Sequence, residues 1–205
     1  MNGINLFSGS NKHATVLACF ALVVAVALAS THNLTRERIA ANEQERVQNT
    51  LAELLPADLY DQPLQAQSII IFDDKAQRNR TCYIAQRNGV PVATIITAVA
   101  EDGYSGNIEM LVGILADGTV SGVHVTKHAE TPGLGDAIEL QRSNWILGFN
   151  NKSLSQPVES RWTVKKQNGE FDQFTGATIT PRAVINEVKN TLHFFESVKL
   201  QLLTL

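Results

Sequence analysis

Three segments of this 205-residue chain hold more small and polar residues than turn-making requires. The first is Asp102-Gly103-Tyr104-Ser105-Gly106, two glycines around an aromatic ring. The second is His128-Ala129-Glu130-Thr131-Pro132-Gly133-Leu134-Gly135-Asp136. The third is Asp172-Gln173-Phe174-Thr175-Gly176-Ala177-Thr178-Ile179-Thr180. In the third, Gly176 and Ala177 leave the Thr178 hydroxyl open to close approach. The helix expected behind it offers unpaired N–H groups and a positive dipole end, which favour a phosphate. The rival reading is a threonine-rich cap and turn. In the second, Gly133 and Gly135 let backbone approach a flat ligand and Pro132 stiffens the loop, as it would equally in a rigid turn. Gly133-Leu134-Gly135 lacks the third glycine of a dinucleotide fingerprint. His124, His128 and Glu130 are metal-ligand types, but no second motif at ligand spacing accompanies them, and a hydrogen-bonded role is preferred. Lys165 and Lys166 read as a solvated strand end or as counter-charge for a bound phosphate.

The elements that must position these loops alternate with turn signals. Ser68–Phe72 reads as a strand. Thr81–Arg87 and Pro91–Ala100 flank Asn88-Gly89, a two-residue hairpin turn. Asn107–Leu115 and Thr119–Thr126 flank Ala116-Asp117-Gly118, a second hairpin, in which Val120 and Val123 break the period of two. A short helix over Leu140–Phe149 and a strand over Arg161–Gln167 are expected. Thr180-Pro181 has the chemistry of a helix start, with Val184, Ile185, Val188, Leu192 and Phe195 on one face down to about Ser197. Arg36–Leu55 is also helical in pattern and is stopped by Pro56. The fold class is α+β, a largely antiparallel sheet with packed helices, preceded by one N-terminal transmembrane helix.

Composition supports that last element. Residues 1–35 contain Lys12 and no Asp, Glu or Arg, so all 20 acids and all but one of the 17 bases lie from Arg36 onward. The mildly acidic remainder argues against a nucleic-acid binder. As a helix, Ala14–Leu34 would span about 31 Å, close to the hydrocarbon thickness. A cleaved signal peptide ending at Ala27-Leu28-Ala29 is the rival. The anchor is favoured because the run exceeds the roughly 7–15 apolar residues of a signal peptide. Basic residues on both flanks leave the topology open. Two cysteines exclude a disulfide scaffold or a cysteine-rich cluster; Cys82 reads as a buried, inert thiol on a strand.

Taken together, DQFTGATIT at 172–180, HAETPGLGD at 128–136 and DGYSG at 102–106 resemble the FMN-binding domain of the G subunit of the Rnf electron-transport complex. The same domain occurs in the C subunit of the sodium-pumping NADH:quinone reductase. The resemblance runs over essentially the whole chain. It implies FMN joined by a phosphoester to Thr178, the last residue of a motif completed by Thr175, Gly176 and Ala177. A flavin transferase using FAD and a divalent metal would install it. Glu130, Thr131, Leu134 and Gly135 would line the isoalloxazine, and Lys165 or Lys166 would approach the flavin; Tyr104, from its place in the first loop alone, reads as a wall. The implied organisation is a cytoplasmic N-terminus (1–13), an anchor in the lipid bilayer (14–34), a helical stalk and connector (35–66) and a periplasmic FMN-binding domain (67–205) on the inner membrane. Its partners would be the other Rnf subunits. The implied role is electron relay within a complex that couples ferredoxin and NAD redox chemistry to ion transport, with no independent catalytic site in this chain. The alternatives are a non-redox membrane-anchored binding module and the quinone-reductase subunit, which is typically longer.

Overall fold

The computed structural model describes residues 13–26 and 50–204, apart from 52, 57, 62, 65 and 66. The chain divides into two compact units, Met1–Val47 and Gln48–Leu205. In the first, residues 13–26 are helical with exposed side chains. Among the described residues no helix is long and apolar enough to cross a membrane. Residues 27–34 of the expected anchor and 35–49 of the expected stalk lie outside the described residues.

The second unit is built on five strands: β1 (Ser68–Asp73), β2 (Arg78–Arg87), β3 (Val90–Ala100), β4 (Ile108–Leu115) and β5 (Val120–Lys127). They pair in chain order and all antiparallel. Two glycine-containing turns set this meander. Asn88 and Gly89 take φ of 53° and 75°, the left-handed pair that a two-residue hairpin needs. The irregular spacing of Val120 and Val123 has a cause in the β4–β5 register. Gly113 faces Gly122 while Ile114 faces Val120, so Ser121 is skipped as a bulge. Both valines thereby turn into the core.

One face of the sheet packs against a 25-residue C-terminal helix, Ile179–Leu203. Ala183, Val184, Ile185, Val188, Leu192 and Phe195 bury against Ile96, Ala98, Met110 and Val112. Each of the Val, Ile, Leu, Met and Phe side chains among them contributes about 1.5–3 kcal/mol. The helix begins two residues before Pro181 and runs six beyond Ser197. Thr178 sits at its cap position with φ −86° and ψ −31° and makes no capping bond. Thr180, expected as the cap, is inside the helix because its hydroxyl has another partner, described below. The opposite face of the sheet receives Leu51, Leu54 and Leu55, all buried. Leu54 fits over the Gly113–Gly122 pair, where a Cβ on Gly122 would lie 3.1 Å from its Cδ2.

Between β5 and the helix the chain runs through four 3₁₀ turns: Gly135–Ile138, Asn144–Phe149, Glu159–Arg161 and Lys165–Gln167. The expected helix over 140–149 is thus reduced to Asn144–Phe149, started by Ser143 Oγ accepting from Trp145 N. The expected strand over 161–167 is absent. Trp162 and Val164 are both buried, which produces the alternation, but only Val164 pairs, in a single bridge with Phe171. Asn168, at φ 61°, then folds the chain back. Phe149, Trp162 and Phe171 stack with centroids 4.5–6.2 Å apart and fill this end of the core.

A buried ion cluster ties the helix to β1 and β2. Arg80, 1% exposed, donates from Nε to Asp73 Oδ2 at 2.7 Å and from Nη1 to Glu187 Oε1 at 2.9 Å. Burial alone would raise the Asp73 pKa, but the Arg80 hydrogen bond and charge and the N–H groups of Ala76 and Lys75 outweigh it, and the carboxyl lies below its ordinary value. At Glu187 burial prevails over the attraction of Arg80 and Arg78, and its pKa is raised. Cys82, fully buried on β2, has its thiol pushed up by burial to about 12 and is unreactive.

Removing the guanidinium would leave the buried Asp73 carboxylate without its cation and Glu187 with Arg78 alone. Arg80→Met is therefore expected to cost roughly 3–5 kcal/mol of folding stability at neutral pH. The deficit should shrink on acidification, because without Arg80 burial favours the protonated form of both carboxylates, and neutralising them removes the unpaired charge. Denaturant titrations at pH 5 and pH 7.5 check both statements; an equal deficit at the two values would contradict the second.

Candidate functional site

The three loops singled out by composition meet at the N-terminal end of the C-terminal helix. Tyr104, Glu130, Thr131, Leu134, Gly135, Gly176, Ala177, Thr178, Ile179 and Thr180 line one cleft of about 330 Å³. Eight of these are marked by the sequence: Tyr104, Glu130, Thr131, Leu134, Gly135, Gly176, Ala177 and Thr178. Thr175 is exposed on the outside of its turn and does not line the cleft. Nor does Lys165, whose Nζ lies 2.8 Å from Asp172 Oδ1 with both side chains largely in solvent. Lys166 is likewise exposed.

The carboxylate of Glu130, 4% exposed, holds the loops together. Oε1 accepts from the backbone N–H of Ser105 at 3.0 Å, and Oε2 accepts from the Thr180 hydroxyl at 2.6 Å. One side chain thus joins the first loop, the second loop and the start of the helix. Gly135 must be glycine for this, since a Cβ there would lie 2.8 Å from Glu130 Oε2 and 3.0 Å from Thr180 Oγ1. The backbone of Glu130 is fixed in turn. Its N–H donates to His128 Nδ1 at 3.0 Å, so the ring proton sits on Nε2, which meets Glu139 Oε1 at 2.7 Å. His128 is therefore a positioned core group. His124 pairs with Glu53 at 3.2 Å on the other side of the sheet.

The third loop turns sharply through Phe174–Ala177, an isolated antiparallel bridge with Gly176 at φ 83°. Gly176 abuts the second loop: a Cβ there would meet Leu134 Cδ2 at 3.2 Å. Beneath the turn, Trp145 Nε1 donates to the Asp172 carbonyl at 2.8 Å, and the Trp145 and Phe174 rings pack edge-on at 4.9 Å. Thr178 is left half-buried at the cleft, its Oγ1 accepting from Gln173 Nε2 at 3.3 Å.

The arrangement suits a flat apolar ring that carries an anion. Tyr104, Leu134 and Ile179 present apolar surface that no described residue covers. Among the described residues the cleft lining holds one carboxylate and no cation, so an anion would rest on the free N–H groups of the helix end. Arg182 follows in the first turn, where a cation opposes the dipole. Its Nε is buried without a hydrogen-bond partner among the described residues. Arg182 does not itself line the cleft. Sequence reasoning does not mark Ile179, Thr180, Gln173 or Arg182 as site residues. The signal for Thr180 is present but reads as a cap, because Glu130 is 50 residues away in the chain.

The weight carried by the Glu130–Thr180 bond is measurable. Thr180→Val keeps the shape and leaves a buried carboxylate oxygen unpaired, and is expected to cost about 2 kcal/mol. In a double-mutant cycle with Glu130→Gln, followed by urea unfolding, the two effects should couple by about 1 kcal/mol or more. Additive effects would mean that the bond does not hold the loops.

The FMN-binding domain family model matches residues 103–193, which contain the second and third loops and all of the first but Asp102. A second model, the RnfG N-terminal region, matches residues 6–54. The G subunit of the ion-translocating oxidoreductase complex of Pseudoalteromonas atlantica is 45% identical over 92% of this chain and 89% of its own length. The protein of the same name from Vibrio cholerae is 43% identical over 96% of this chain and 95% of its own length. That from Shewanella loihica is 42% identical over 91% and 89%. With the match sustained from the N-terminal region through the cleft, the chain belongs to the family of G subunits of ion-translocating oxidoreductase complexes.

Proposed function

We propose that this chain is the FMN-carrying electron-transfer subunit of an Rnf-type ion-translocating complex, with the flavin joined through its phosphate to the Thr178 hydroxyl. The observation that carries the reading is the gathering of Thr178, the Glu130–Gly135 loop and Tyr104 around one cleft within the span of the FMN-binding domain match. FMN supplies the acceptance of two electrons together and their release one at a time. The chain supplies position and surroundings. Leu134, Tyr104 and Ile179 offer apolar walls, Gly176 and Ala177 keep the hydroxyl accessible, and the helix end offers positive potential to the phosphate. The cleft opens at the surface, which leaves a path for electrons to a neighbouring subunit. A covalent tether suits a domain on the periplasmic side, where free FMN cannot be relied on to refill the site. Residues 14–34 serve in this reading as the bilayer anchor, and a flavin transferase as the maturation partner. A non-redox binding module would have no use for the accessible hydroxyl. The quinone-reductase subunit is disfavoured by relatives that carry the G-subunit name over nearly their full length.

Intact mass of the full chain coexpressed with a flavin transferase tests the attachment. The parent should gain one FMN, Thr178→Val should gain none, and Thr175→Ser should label like the parent. Flavin mass on Thr178→Val, mapped to Thr175 or Thr180, would move the attachment elsewhere.

The anchor is tested separately. The membrane fraction should contain a chain that begins near Met1, and a reporter fused after Leu205 should be active only if it functions in the periplasm. A mature N-terminus at Ser30 on soluble protein would replace the anchor with a signal peptide.

A further inference from the structure

The Thr178 hydroxyl is held by a residue outside the motif that marks it. Across the turn, Phe174 and Ala177 bridge, with Ala177 N donating to Phe174 O at 3.4 Å. Gln173 and Thr178 are the next residues outward on the two arms, so they stand opposite one another. Gln173 Nε2 donates to Thr178 Oγ1 at 3.3 Å. The arm that carries Gln173 is pinned through the Asp172 carbonyl to Trp145. The other end of the amide, Oε1, is buried and has no hydrogen-bond partner among the described residues. A buried carbonyl left in that state costs free energy, and groups that persist so often have a functional use. The amide NH₂ carries two N–H groups; one is used on Thr178, and the second remains available to a group that approaches the hydroxyl.

We propose that Gln173 is the positioning residue for attachment of the FMN phosphate to Thr178; the inference rests on the attachment read above. In that step Thr178 Oγ forms a bond to the phosphorus of the FMN half of FAD. The phosphoanhydride P–O bond breaks, AMP leaves, and the hydroxyl proton passes to a base on the transferase. No electrons are exchanged. Gln173 fixes the rotamer of the hydroxyl so that a lone pair of Oγ faces the incoming phosphorus. Its NH₂ then donates to a non-bridging phosphate oxygen, a charge-assisted bond. A carboxylate in its place could accept the proton but could not donate, and would repel the phosphate.

The test uses the full chain with transferase, FAD and divalent metal. It reads the initial rate of mass gain, the labelled residue and the thermal midpoint before labelling. The parent should label at Thr178. Gln173→Leu should label at the same residue roughly tenfold more slowly, the scale of one hydrogen bond, and Gln173→Glu more slowly still, with both midpoints near that of the parent. With unchanged midpoints, the order Gln, Leu, Glu reports positioning, because a structural role, including the cost of burying the Glu carboxylate, would show as a lowered midpoint. Equal rates in all three, Gln173→Glu as fast as the parent, or rates that follow lowered midpoints would overturn this inference alone. A parent labelled at another residue would overturn it together with the attachment.

Discussion

Everything at the cleft depends on where one buried carboxylate finds its hydrogen bonds. Glu130 is nearly sealed from solvent, and an ionised group in that position is tolerable only when its oxygens are paired. It meets the requirement by reaching Ser105 in one loop and Thr180 in the helix. The same two bonds that satisfy the charge therefore decide where three separate segments of chain come to rest. Gly135 and the His128–Glu139 pair exist around this point: one makes room, the other aims the backbone.

The C-terminal helix is located by polar contacts as well as by its apolar face. Thr180 is held by Glu130, and Glu187, about 10.5 Å further along the axis, is held by Arg80. An apolar stripe on a sheet tolerates small slides and rotations. Two buried hydrogen-bonded points on one rigid helix do not. The position of Thr178 at the end of that helix is set with corresponding precision, although Thr178 itself makes no capping bond.

The meander was legible in the sequence because its signals are local. Asn88-Gly89 demands a tight turn, and strand residues on either side alternate between faces. The relations that define the cleft are not local. Thr180 has the residue type and position of a helix cap, and only the fold shows its hydroxyl turned to a partner 50 residues earlier. The stretch from His128 to Thr178 was harder still. It packs large aromatic rings from 3₁₀ turns, and a buried Trp162 and Val164 two apart mimic a strand that is not there. Loop composition marked the segments that hold Tyr104, Glu130, Leu134 and Thr178 but left a rigid turn and a threonine-rich cap open; it was the resemblance that singled out Glu130, Leu134 and Thr178. It also included Lys165, whose charge is spent on Asp172 in solvent.

The order of the elements along the chain has a temporal meaning. Each strand pairs with its immediate neighbour in sequence, so the sheet can assemble progressively as the polypeptide emerges. The helix that begins at Ile179 comes last, and it brings Thr180 to Glu130. Until it docks, the Glu130–Thr180 bond is unmade and Thr178 lacks its setting at the helix end. A maturation enzyme that recognises the hydroxyl in its folded setting would act only on chains whose final segment has arrived. On the attachment proposed above, occupancy at Thr178 would then be a record that this helix has docked.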